Sequence, residues 1–107
     1  MIDWAKVLSD AVKAAETIIG ASWPSIAKTA TTQITALVEN AKFIEANRAS
    51  MTAVEYKATK INQQRALEGV LKGFSAISIV VAEQVATSVW GVVETALKTV
   101  PELAPFI

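Results

Sequence analysis

The 107-residue chain contains no cysteine and no histidine. The first absence removes disulfides, thiolate metal ligands and a cysteine nucleophile, while leaving the cellular compartment open, since reducing and oxidising locations both accept a cysteine-free chain. The second removes the commonest general base near neutral pH and the commonest metal ligand. Glycine is sparse as well: Gly20, Gly69, Gly73 and Gly91 are widely spaced and form no Gly-rich loop that could cradle a phosphate ahead of a helix. Carboxylates are present, but no two of Asp3, Asp10, Glu16, Glu39, Glu45, Glu55, Glu68, Glu83, Glu94 and Glu102 stand three or four apart. No single helix therefore presents paired acids, and the Glu-x-x-His element of bundle di-metal sites is missing. No catalytic, cofactor-binding or metal-ligating residues are assigned, no cofactor is expected, and the chain reads as non-enzymatic.

An excess of charge of either sign is also lacking. Ten basic side chains balance ten acidic ones, so little self-repulsion keeps copies apart. The apolar content is high, with 52% hydrophobic residues and a mean hydropathy of +0.39. A single domain over residues 1–107 is large enough for one core and small enough to benefit from self-association. The opening residues Met1-Ile2-Asp3-Trp4 carry neither a basic cluster nor a continuous apolar run, so no signal peptide is evident. A cytoplasmic location is the default expectation, with membrane association kept as an alternative.

What is present is helical periodicity almost throughout, which predicts an all-α fold. Asp3 is placed to cap a first helix over about residues 3–20, whose apolar positions Trp4, Val7, Leu8, Ala11, Val12, Ala15, Ile18 and Ile19 recur at spacings of three and four. Gly20 is its stop. Pro24 suits the first turn of a second helix over about 24–49, buried along Ile26, Ala30, Ile34, Leu37, Val38, Ala41 and Ile44. Thr52 and Glu55 have capping-box spacing and open a third helix. Nothing but Gly69 and Gly73 interrupts the helical pattern before Pro101, so the third helix is expected to span about 53–99, about 70 Å at helical rise, ahead of a short tail at 100–107. The preferred arrangement is a long antiparallel hairpin, with helices one and two laid back along helix three. A break at Gly69–Gly73 would give a bundle of four shorter helices instead.

Residues 73–93, GFSAISIVVAEQVATSVWGVV, carry one charge, Glu83. The stretch is long enough to cross a bilayer but is interrupted by serines, threonine and Gln84, and lacks flanking basic clusters. Projected as a helix, Glu83, Gln84, Thr87, Ser88, Gly91, Glu94, Thr95 and Lys98 fall on one polar strip. Val81, Val85, Val89, Trp90, Val92, Val93 and Leu97 belong to an apolar face about 180° wide, beyond the roughly 100° of an ordinary core-facing helix. One partner helix cannot cover that face. Either two helices of the same chain pack on it, or copies pack on each other.

The expected function follows: a structural or protein-interaction protein that self-associates, or docks another helical protein, through the apolar face of residues 73–100. Glu83 and Gln84 are candidates for a polar layer setting register in such an oligomer, although a solvent-facing strip accounts for them more simply. The alternative is a membrane-active protein whose segment 73–93 inserts into or lies on a bilayer. Arg48, Lys57, Lys60 and Arg65 would make the hairpin tip weakly basic, but acidic residues interrupt them, and nucleic acid is not an expected partner.

Overall fold

Three of the four helices begin where a side chain accepts from a free amide of the first turn, and the other, α2, begins with a proline there. In the computed structural model, which describes residues 1–107, the Asp3 carboxylate accepts from the Lys6 N–H at 3.1 Å and opens α1, Trp4–Ile19. Gly20 ends it at φ +65°, a conformation side chains disfavour, and a single turn of 3-10 helix, Gly20–Ser22, reverses the chain. Helix α2, Trp23–Ala46, carries Pro24 in its first turn. The Thr52–Glu55 capping box forms in both directions at the start of α3, Ala53–Lys72: Thr52 N–H donates to Glu55 Oε1 at 3.0 Å, and Glu55 N–H to Thr52 Oγ1 at 3.1 Å.

The expected helix over 53–99 is corrected here. The chain leaves α3 at Gly73, passes through a turn at 73–78, and restarts as α4, Ile79–Leu97, with the Ser78 hydroxyl accepting from the Val81 N–H at 3.1 Å. Instead of a rod about 70 Å long, the molecule measures 41 × 25 × 17 Å. The physical reason is coverage. A hairpin would lay only α1 on the apolar half of the segment, whereas reversal at 73–78 lets both α1 and α3 pack on it, with α2 reaching it across the bundle. Val85, Val89, Trp90, Val93 and Leu97 are thereby fully buried. Each such side chain contributes about 1.5–3 kcal/mol, against about 1 kcal/mol for each helical hydrogen bond given up at the turn.

The four helices run up, down, up, down. Trp4 at the start of α1 touches Glu45 at the end of α2, and Tyr56 at the start of α3 touches Glu94 near the end of α4. Neighbours around the bundle are α1–α2, α2–α3, α3–α4 and α4–α1. One continuous cluster of 22 buried apolar residues fills the centre, drawn from all four helices and the tail, and no polar or charged residue is buried. After α4 the tail folds back through a short 3-10 turn, Ala104–Phe106, with Val100 and Leu103 closing that end of the core.

Candidate functional site

The residues assigned from the sequence to an interaction face lie mostly inside. Val85, Val89, Trp90, Val93 and Leu97 belong to the core, and only Val81 and Val92 are partly exposed. The apolar half of α4 is therefore covered by the chain's own helices, the first of the two alternatives its width allowed. Docking through those five side chains would require the bundle to open. Val92 and Ala96 floor a groove of about 440 Å³ between the start of α1 and the end of α4, bordered by Ile2, Lys6 and Asp10.

Glu83 and Gln84 are exposed and, with Val80, Thr87 and Ser88, border a shallow surface depression. They face solvent as part of the polar strip. The four basic residues read as a tip do not all gather at the α2–α3 turn. Arg48 lies at the α2–α3 turn and pairs with Glu102 at 3.1 Å, Lys60 pairs with Glu94 at 3.0 Å, and Lys57 and Arg65 are spread along an α3 that runs the length of the bundle. The segment 73–93 is likewise not one helix, and no helix is long and apolar enough to cross a membrane.

One member of the predicted polar strip behaves differently. The Glu94 side chain is only 17% exposed, accepts from the Tyr56 hydroxyl at 2.5 Å and pairs with Lys60. Burial pushes its carboxyl up, but the hydrogen bonds from Tyr56 and Lys60 outweigh that and hold it below the usual carboxylate range. Burial, reinforced by the bond to Glu94, pushes the Tyr56 phenol well above its ordinary value. The Trp90 indole N–H faces the same pair of oxygens closely enough to favour their charged forms, yet makes no hydrogen bond of good geometry. Tyr56 also packs against the Trp90 ring and, from the tail, Phe106, at centroid distances of 6.3 and 6.1 Å. This cluster ties α3, α4 and the tail together. Sequence reasoning missed it, although Tyr56/Lys60 and Trp90/Glu94 are each spaced i,i+4 and so share a face.

The opposite end has another character. The 3-10 turn of residues 20–22 and the 73–78 turn are both at this end, and the segments 17–27 and 73–82 contain no Asp, Glu, Lys or Arg. Ile77 seals the core from above, with Ile18, Ile19, Trp23 and Phe74 partly buried against it. Ile79 and Val80, each 62% exposed, project from the first turn of α4. Phe43 and Val54 are also exposed, at the other end, but singly and next to the charged Lys42 and Glu55; here two adjacent large apolar side chains are held in water beside uncharged turns. No group of three or more His, Cys, Asp or Glu residues is placed to hold a metal ion. No protein-family model matches the chain, and comparison with curated proteins and with solved structures gives no significant match.

Proposed function

We propose that the protein is a non-enzymatic helical interaction module that docks its partner through the uncharged end of the bundle. The observation that carries this reading is the exposure of Ile79 and Val80 beside two segments free of charge. Covering such side chains removes apolar area from water at about 25 cal/mol per Å², and no charged group has to be desolvated in the process. The surface overlaps the segment 73–100 expected from the sequence, but uses its exposed first turn rather than the buried face. Trp23 and Phe74 supply aromatic area at the same end.

The test is sedimentation of the full chain in buffer and with zwitterionic lipid vesicles, comparing wild type with the double variant Ile79→Glu/Val80→Glu. Association in either arm that the double variant loses supports the reading. A chain that stays monomeric in buffer and off the vesicles overturns it.

A further inference from the structure

We propose that residues 100–107 form a strap that lifts off the bundle as a unit while the four helices stay folded, and that its release uncovers Tyr56. Hydrogen bonds set the boundary of this unit. Every backbone bond donated from residues 101–107 ends within the segment: Leu103 and Ala104 N–H to the Val100 carbonyl, each at 3.0 Å, Phe106 N–H to that of Leu103 at 2.9 Å, and Ile107 N–H to that of Ala104 at 3.2 Å. None reaches a helix, and Pro101 and Pro105 have no N–H to give. Lifting the segment therefore breaks no backbone hydrogen bond to the bundle and keeps its own turn intact. The pivot falls in the turn that follows α4, at residues 98–100.

Side chains alone hold the strap down. Val100 and Leu103 are its two buried residues, where α2 and α4 bury seven each. Phe106 adds the face it lays on Tyr56, and Glu102 adds its pair with Arg48, in which both side chains are nearly half exposed and so hold little. Beside them a cleft of about 290 Å³ opens between α3 and the strap, lined by Tyr56, Lys57, Lys60, Ile61, Pro105 and Phe106, and it leaves the packing of Phe106 incomplete. So little apolar burial, with no backbone ladder to the helices, puts the segment among those that open locally before the whole molecule unfolds.

Release leaves the helices joined. The bonds from Trp4 to Glu45, and from Tyr56 and Lys60 to Glu94, link helix to helix and involve no strap residue. What changes is access. The Tyr56 side chain is 2% exposed beneath Phe106, and the ring gains an open face when Phe106 leaves.

Because the chain has no cysteine, one introduced thiol is the only one, and its reaction with an aromatic disulfide reagent measures opening at a chosen place. Leu103→Cys sits under the strap and Val89→Cys in the bundle core, both at fully buried positions. Leu103→Cys should react about a hundredfold faster and with little dependence on urea, whereas Val89→Cys should accelerate steeply with urea, as global unfolding does. Adding Ile26→Val, in the core of α2 far from the strap, should speed Val89→Cys about threefold to tenfold and leave Leu103→Cys unchanged, because it weakens the bundle equally with the strap closed or lifted. The unaltered chain supplies an independent measurement: chymotrypsin should cut after Leu103 ahead of any cut inside a helix, at a rate nearly independent of urea. In the trimmed, still folded chain, tetranitromethane should nitrate Tyr56, the only tyrosine, about threefold to tenfold faster than in the intact one. The same steep urea dependence at both thiols, or a cut after Leu103 only alongside cuts inside the helices, overturns the strap as a separate unit. Equal nitration of trimmed and intact chains overturns the uncovering of Tyr56.

Discussion

At the end that gathers the start of α1, the α2–α3 turn and the tail, polar side chains reach from element to element: Trp4 to Glu45, Arg48 to Glu102, and Tyr56 and Lys60 to Glu94. At the other end no side-chain hydrogen bond or ion pair joins two of the four helices, and closure rests on Ile77 and the partly buried Ile18, Trp23 and Phe74. A hydrogen bond at a fixed length and angle admits few arrangements of the groups it joins, whereas apolar contact tolerates many. The first end thus specifies which helices pair and in what register. The first end also exposes Met1, Phe43 and Val54, but the second differs in setting the adjacent pair Ile79 and Val80 beside segments without charge.

The strongest way to break this contrast is Trp90→Ala. It removes the largest fully buried side chain, from beneath the Tyr56–Glu94 pair, and should lower unfolding stability by about 3–5 kcal/mol in urea titrations. Next comes Glu94→Gln, expected to cost about 1–3 kcal/mol at neutral pH, because Lys60 loses its partner and Tyr56 its charged acceptor. The Glu94 carboxyl is held below its unfolded value of about 4.3, so its contribution is present above that pH and is lost as pH falls through the folded value. The stability gap between wild type and Glu94→Gln should therefore close in acid, which urea titrations across the acid range would follow.

Tyr56 is the only tyrosine, so tyrosinate absorbance reports it alone. Its folded pKa is raised above the unfolded value of about 10, so this group's contribution is intact below pH 10 and disappears as pH rises through the folded value. Folded wild type should titrate later than the urea-unfolded chain, and Glu94→Gln should bring the two closer. The smallest effect belongs to the uncharged end. Ser78→Ala removes the cap that restarts α4 and should cost about 1 kcal/mol in urea titrations. A loss as large as that of Glu94→Gln would remove the energetic difference between the ends.

The all-α class, the Asp3 cap, the Gly20 stop, the first-turn Pro24 and the Thr52–Glu55 box were legible because each signal spans no more than four residues and acts on its own backbone. The break at 73–78 was harder to read. Ser75 and Ser78 registered as interruptions of an apolar stretch, although Ser78 three residues before Val81 is also an N-cap position. The site residues divide along the same line. Helical periodicity shows the width of the face from Val81 to Leu97, which α1 and α3 pack on, and the polar strip on which Glu83 and Gln84 are exposed. That Glu94 leaves the strip for Tyr56 and Lys60 follows only from how α3 and α4 pair.

By itself the sequence determined that this chain forms capped helices around an apolar core, lacks histidine and cysteine chemistry, and has a segment needing more than one helix to cover it. Capping, periodicity and composition act locally, so they carry that much. Only the tertiary structure decided what covers α4 and what remains outside. That choice turns on whether the chain reverses at 73–78, and reversal is rewarded by contacts with α1, tens of residues away, which no local pattern records.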